Sequence, residues 1–346
     1  MAKKIKIVSD DAIPFLEGVL DPYADILFKN GKEICHEDVR DADVLLIRTR
    51  TKCNKDLLDG SRVSMIASAT IGVDHIDMDY CRSHGIEVTN AKGCNAGGVM
   101  QYVFSALYGA CAHNGINLSG KTFGIIGVGN VGRRVEEFAH YLGFRVLLCD
   151  PPRAEVEGPE DFVDRNTLLA ESDIVTIHTP LLPSTRRMAD DEFFQRMKPG
   201  AIFINTARGE IVDDEALISA VPRMGAVIID TWNGEPSVNR QLLDMVDIAT
   251  PHIAGYSYQG KMNGTAMAVQ SIARRFGLYK LYDFYPRELP EDVPQKLDIA
   301  GKSQGETAAT LQYNYPVFTD DFMFRTNPDQ FEILRQNYRY RREIYI

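Results

Sequence analysis

The 346-residue chain has no apolar run of 18 residues, so nothing in it reads as a membrane-spanning helix. It has no excess of positive charge. Against 48 Asp and Glu stand 38 Lys and Arg, and the net charge of −10 disfavours a nucleic-acid role. The six cysteines, Cys35, Cys53, Cys81, Cys94, Cys111 and Cys149, show neither a CxxC nor a metal-ligand spacing. Cys111 and Cys149 sit in apolar contexts and read as buried thiols, which suits a reducing cytoplasm. A signal-peptide pattern is missing too, because MAKKIKIVSDD runs straight into a strand. Beyond a strand–helix alternation there is no repeat, and there is no low-complexity segment. What remains is an ordinary folded composition, 45% hydrophobic and 25% charged, with length for about two domains.

The most informative stretch is Lys121–Asp150. An apolar run, Phe123–Val128, reads as a buried parallel strand. Gly127-Val128-Gly129-Asn130-Val131-Gly132 follows, then a helical stripe of Val135, Phe138, Ala139 and Leu142 that Gly143 stops. A second strand, Arg145–Cys149, ends at Asp150, 18 residues past Gly132. A pyrophosphate needs backbone N–H groups at a helix N-terminus with no side chain in the way. Gly127 suits the tight turn, Gly129 the close approach, and Gly132 the packing of helix on strand. Asp150 is placed to accept the ribose hydroxyls of NAD and to repel the extra phosphate of NADP. Arg153 could soften that preference. A glycine-rich turn can bind nothing, but strand, helix and acid are all in register here, and NAD is the expected cofactor.

On either side the chain alternates between strand and helix signals. Before the glycine turn, strands are expected at Ile5–Val8, Asp25–Phe28, Val44–Ile47, Met65–Thr70 and Ile86–Thr89. Helices are expected at Ile13–Leu20, Asp56–Leu58 and Asp79–His84. Residues 92–117 carry a core stripe of Val99, Tyr102, Val103, Ala106 and Leu107. After Asp150, Pro151–Pro159 reads as a loop. Strands follow at 173–180, Ala201–Asn205, Gly225–Asp230 and Val246–Thr250, with helices at Asp190–Met197, Asp213–Val221 and Lys261–Leu278. Such alternation implies parallel sheets covered by helices, with ligands at the carboxyl ends of the strands. The tail differs. Pro286, Pro290 and Pro294 break it, Leu311–Phe318 and Asp321–Phe324 look β-prone, and Pro328–Arg342 looks helical with Asn327 as its cap. It reads as a small α+β region that packs on a partner subunit.

Three strand ends carry Arg208, Glu235 and His252, and each fills a role that hydride transfer at a secondary alcohol requires. His252 can take the hydroxyl proton. Glu235 can hold its imidazole, and Arg208 offers a planar fork for a substrate carboxylate. Taken alone, an arginine after a strand is usually a surface ion pair and a lone histidine is usually structural. His178 competes for the base role, although Thr179-Pro180 after it looks like a loop lining the cofactor. His75 and His84 read as helix residues of the other domain and are weaker candidates. At the other rim, Arg48, Arg50 and Lys52 with Thr49 and Thr51 could hold a phosphate.

The stretches IGVDHID, GIIGVGNVG with Asp150, HTPL, INTARGEIVDDEAL, DTWNGEP and TPHIAG resemble the D-isomer-specific 2-hydroxyacid dehydrogenase family across residues 44–280. The resemblance implies an α/β chain of two doubly wound parallel-sheet lobes, flavodoxin-like and Rossmann-like, with the active site between them. It implies a substrate lobe at 1–93 completed by 257–282, an NAD lobe at 94–256, and a C-terminal dimerisation region at 283–346. It assigns Arg208, Glu235 and His252 to catalysis. It suggests nucleotide contacts at Asp150, Thr179, Asp230 and Gly255, with backbone contacts at Asn130, Val131 and Ala207. PHIAGYSYQGKMNGT (251–265) and FEILRQNYRYRRE (331–343) are similar to one branch of that family. That branch implies a phosphorylated 2-hydroxy acid as substrate, with Arg48, Thr49, Ser68 and Tyr256 beside it, and a homodimer. The rival readings are 3-phosphoglycerate or another D-2-hydroxy acid as substrate, or a non-catalytic NAD-responsive binding protein. Arg325 in the tail is a further phosphate candidate.

Overall fold

The computed structural model describes residues 4–287 and 293–346, so Pro290 and residues 1–3 lie outside the described residues. The chain divides into two compact units, residues 1–95 with 258–293 and residues 96–257 with 294–346.

In the first unit five parallel strands stand in the order β2-β1-β3-β4-β5: β1 Ile5–Asp10, β2 Ala24–Lys29, β3 Val44–Ile47, β4 Met65–Ser68 and β5 Glu87–Asn90. This is the flavodoxin-like order. β3 and β4 are fully buried and read as unbroken apolar runs, as expected where both sheet faces are covered. The helix Tyr258–Phe276 contributes Ala268, Val269, Ile272 and Ala273 to one of the two cores. The expected helix at Ile13–Leu20 does not form. Pro14 interrupts it, and Phe15 and Gly18 take left-handed backbone at φ +62° and +76°, so the segment runs as turns.

In the second unit six parallel strands stand in the order β11-β10-β9-β8-β6-β7: β6 Thr122–Ile126, β7 Arg145–Cys149, β8 Ile174–Ile177, β9 Ile202–Asn205, β10 Ala226–Ile229 and β11 Ile248–Ala249. The order reverses between β6 and β8. That switch point is where a doubly wound sheet binds its ligand, and the glycine turn follows β6 there. The helix Ala96–Asn114 is buried along most of its length. Pro151–Glu157 is a helix rather than a loop: Asp150 caps it by accepting the Arg153 N–H at 3.1 Å, and its prolines occupy the first turn, where they fit.

The tail is helical where β-prone pieces were expected. Helices run over Gln304–Asn314, Val317–Thr326 and Phe331–Gln336. Ser303 and Glu306 form a capping box for the first. Leu311, Val317, Phe324 and Phe331 are buried in the cores of their own unit. β propensity yields here to a helical apolar stripe with a surface to cover. The last helix ends at Gln336. Asn327 does not cap it, since its side chain donates back to the Met323 carbonyl. A short parallel pair, β12 Gln295–Lys296 with β13 Ile344–Tyr345, completes the described tail.

Candidate active site

The glycine turn is defined by what its residues lack. Gly127 sits at φ +87°, and a Cβ there would lie 2.8 Å from the His178 carbonyl carbon. A Cβ on Gly132 would lie 2.1 Å from the Gly127 carbonyl oxygen. A Cβ on Gly129 would meet nothing within 4 Å, so that position faces open space. The helix Asn130–Tyr141 starts at Gly129 without a side-chain cap, which leaves its first N–H groups available to an anion. Asp150 accepts the Val128 N–H at 2.7 Å. The Thr179 Oγ1 is buried without a hydrogen-bond partner. An open cradle, uncapped donors and an orphaned hydroxyl fit a dinucleotide. The Arg153 guanidinium is engaged by Glu157 at 2.8 Å and by the Val128 carbonyl at 3.0 Å.

The tips of β9, β10 and β11 are tied to one another by side chains. Buried Asn205 accepts the Ala207 N–H at 3.0 Å and donates to the Arg208 carbonyl at 3.1 Å, which folds the loop that presents Arg208. The Arg208 guanidinium donates to the Ala207 carbonyl at 2.8 Å. Gly209 lies so near the next loop that a Cβ would come within 1.9 Å of the Trp232 carbonyl carbon. The loops of Arg208 and Glu235 are thus in backbone contact. Trp232 N–H donates to Glu235 Oε1 at 2.9 Å, and its indole donates to the Thr250 carbonyl at 2.8 Å.

His252 takes left-handed backbone at φ +56°, a conformation that costs a non-glycine residue about 1–3 kcal/mol and persists only where surroundings impose it. Asp230 imposes it. The Asp230 carbonyl accepts the His252 N–H at 2.7 Å, and its buried carboxylate accepts Ile253 N–H at 2.8 Å, Ala254 N–H at 2.9 Å and Thr250 Oγ1 at 2.7 Å. Burial pushes this carboxyl above the usual range. The His252 Nδ1 lies 2.8 and 3.1 Å from the two Glu235 carboxylate oxygens. A carboxylate only accepts, so Nδ1 carries the hydrogen and Nε2 is left to exchange a proton. Burial works against the Glu235 carboxylate, but His252 beside it outweighs that, and the carboxyl is held below the ordinary range.

The competing histidines lie in other settings. His178 is flanked by the Thr176 and Thr206 hydroxyls at 3.1 and 3.3 Å, and desolvation pushes its pKa down to about 3, so it stays neutral. His75 lies in a turn rather than a helix, and its carbonyl accepts the Cys53 N–H at 2.9 Å. His84 ends the helix Met78–Ser83 and stacks on Tyr80 at 3.9 Å.

The substrate candidates are divided between the units. In the first, Arg48-Thr49 and Ser68 follow from adjacent strands, with Ile47 level with Ser68. Arg48 donates to the Ala12 carbonyl at 2.8 Å, Thr49 is exposed, and buried Ser68 shares a hydrogen bond with Thr70 at 2.9 Å. Thr51 turns inward to the Gly31 carbonyl at 2.9 Å and is withdrawn from the phosphate set. In the second, Tyr256 follows the His252 loop and donates its N–H to the Ile253 carbonyl at 2.8 Å. Arg325 is removed as a phosphate candidate, because it pairs with Asp321 at 2.9 Å and donates to the Leu243 and Val246 carbonyls. Asn205, Gly209 and the bracing role of Asp230 were not foreseen; the only signal in the sequence was their place at strand ends.

The model of the D-isomer specific 2-hydroxyacid dehydrogenase NAD-binding domain matches residues 102–254. An erythronate-4-phosphate dehydrogenase of Bacteroides thetaiotaomicron is 42% identical over 98% of this chain and 97% of its own length. The chain belongs to the D-isomer specific 2-hydroxyacid dehydrogenase family. Within that family, an erythronate-4-phosphate dehydrogenase of Escherichia coli O157:H7 is also similar, 37% identical over 98% of this chain and 92% of its own. Among solved structures, NAD+-bound 3-phosphoglycerate dehydrogenase of Entamoeba histolytica is 26% identical, with a TM-score of 0.68, over 83% of this chain and all of that one. D-lactate dehydrogenase of Aquifex aeolicus, 23% identical with a TM-score of 0.66 over 80% of this chain and 97% of that one, shares the fold. The chain is an NAD-dependent oxidoreductase, as its family, its glycine turn and its Glu235–His252 pair together require.

Proposed function

We propose that this chain oxidises 4-phospho-D-erythronate to (R)-3-hydroxy-2-oxo-4-phosphooxybutanoate, a step of pyridoxal 5′-phosphate synthesis. The observation that carries the chemistry is the 2.8 Å bond between His252 and Glu235. The support for this substrate is the near full-length likeness to proteins named for it. NAD, when bound, supplies the hydride acceptor. The backbone of Gly127–Gly132, Asp150, Thr179, Ala207 and Gly255 would hold it. His252 Nε2 takes the proton of the C2 hydroxyl, Glu235 stabilises the resulting imidazolium, and Arg208 pairs with the substrate carboxylate. Asp230 acts by holding the His252 loop, since its oxygens are already taken there. Arg48, Thr49, Ser68 and Tyr256 complete the substrate contacts.

The second reading is 3-phosphoglycerate, favoured by the 26% likeness to a dehydrogenase of that acid. Both acids carry the carboxylate and hydroxyl that the catalytic residues address. NADH formation from each decides by kcat/KM: the proposal expects 4-phospho-D-erythronate to lead by at least about 100-fold, and the reverse order would reject it.

We also propose a homodimer formed through the tail, where Phe318, Phe322, Met323 and Ile333 remain 36–65% exposed. Sizing should give about twice the 38.8 kDa of one chain. A cytoplasmic setting fits the six free cysteines, five of them buried. Among the described residues no helix is long and apolar enough to cross a membrane.

A further inference from the structure

The C-terminal segment from Arg335 to Glu343 lies against the loop that carries His252. Arg341 and Ser257 form a parallel bridge. The Arg341 guanidinium, with the residue only 8% exposed, donates to the carbonyls of Ile253 at 3.2 Å, Tyr256 at 3.3 Å, Gly98 at 3.0 Å and Ala254. It also donates to the Tyr338 hydroxyl at 3.0 Å and lies 4.2 Å from the Tyr315 ring centroid. Three of those carbonyls fall within four residues after His252.

Arg335 reaches the same loop from the preceding helix. It pairs with Glu332 at 3.1 Å and lies 5.8 Å from the Tyr256 ring centroid, and it hydrogen-bonds the Tyr256 side chain. Its side chain is 15% exposed, and its buried Nε has no hydrogen-bond partner. Burial disfavours this cation, but Tyr256, Glu235 and Glu332 around it outweigh that. Seating the tail does not need either arginine, because Phe324 and Phe331 already anchor it in the core. Burying two guanidinium groups is costly unless their donors are used.

We infer that Arg335 and Arg341 are positioning residues of the loop that carries the acid/base histidine: Arg341 fixes the backbone that follows His252, while Arg335 fixes the side chain of Tyr256. The inference rests on the dehydrogenase reading above.

The test uses the full chain and follows NADH formation across about pH 6 to 9, with NAD affinity measured separately. Arg335→Gln should lower kcat/KM about 10- to 100-fold, mainly by raising the KM for the hydroxy acid that Tyr256 contacts. Arg335→Lys should recover part of that loss and leave the KM for the hydroxy acid about fivefold above the wild type, because a point charge cannot replace the fork. Combined with Tyr256→Phe, Arg335→Gln should be no worse than the poorer single variant. Arg341→Lys should lower kcat at least about tenfold. In every variant NAD affinity should stay within about twofold. The inference is overturned if Arg335→Gln keeps kcat/KM within twofold, if it loses activity with an unmoved KM for the hydroxy acid, or if its effect multiplies with that of Tyr256→Phe. Should Arg335→Gln not fold, Arg335→Lys decides alone, and an unchanged KM overturns the role of Arg335; an unchanged kcat in Arg341→Lys overturns that of Arg341. The wild-type arm reports on the substrate, and the ratio of variant to wild type, on whichever 2-hydroxy acid is oxidised, reports on the positioning.

Discussion

The turn after β6 and the corner formed by the tips of β9, β10 and β11 stand at the same end of one parallel sheet, yet they are built in opposite ways. The turn is made of backbone and of missing side chains. Gly127 and Gly132 are in place because a Cβ would collide, and Gly129 because a Cβ would project into the open space over the cradle. The corner is made of side chains that lock one another. Asp230 holds the His252 loop, Glu235 holds the His252 ring, and Asn205 holds the Arg208 loop. A nucleotide cradle needs only donors and space. Proton transfer needs one nitrogen aimed at one oxygen, and that aim has to be braced from several sides.

The contrast can be broken by substitutions whose effects should fall in a fixed order. Among substitutions that keep His252, Glu235→Gln should cost the most, about 10²- to 10³-fold in kcat, since an amide can present its donor to Nδ1 and favour the wrong tautomer. NAD affinity should hardly change; an equal loss of NAD binding would show that the two regions are not separate.

Gly132→Ala forces a Cβ to within 2.1 Å of a carbonyl oxygen, so it should destabilise the fold by about 1–3 kcal/mol and weaken NAD. Gly129→Ala, with open space around it, should keep the melting temperature and lose NAD affinity about tenfold. Equal stability loss in both would refute the cradle. Asp150→Ala should weaken NAD about tenfold and narrow its lead over NADP, and it should also cost about 1 kcal/mol through the lost helix cap. An unaltered cofactor ratio would count against Asp150 as the discriminating acid.

The smallest effect is on stability against pH. The folded Glu235 carboxyl is held below its ordinary range, so its contribution is present above the unfolded value and lost as pH falls through the folded one. Acid unfolding curves of Glu235→Gln should therefore be flatter below about pH 4.5 than those of the wild type; steeper curves would show the sign to be wrong.

What could be read in the chain follows the same division. The glycine turn and the strands of both sheets were legible because each rests on short-range spacing. The failures came where distant contacts decide. Leu311–Phe318 is helical because Leu311 and Val317 have a core to fill. Ile13–Leu20 is turns because Pro14 and two left-handed residues break its apolar pattern. Pro151–Glu157 is a helix because Asp150 caps it. Thr51 and Arg325 looked like phosphate donors until the carbonyls they serve were seen. Nothing local reveals that the Asp230 carboxylate accepts from residues 250, 253 and 254.

The most direct test measures NADH formation from 4-phospho-D-erythronate by the wild type and by His252→Gln, with NAD binding recorded on both. The expected result is turnover by the wild type, a loss of at least about 10³-fold in the variant, and NAD affinities within a few-fold of each other. Undiminished turnover in His252→Gln would contradict the assignment of the proton to that imidazole.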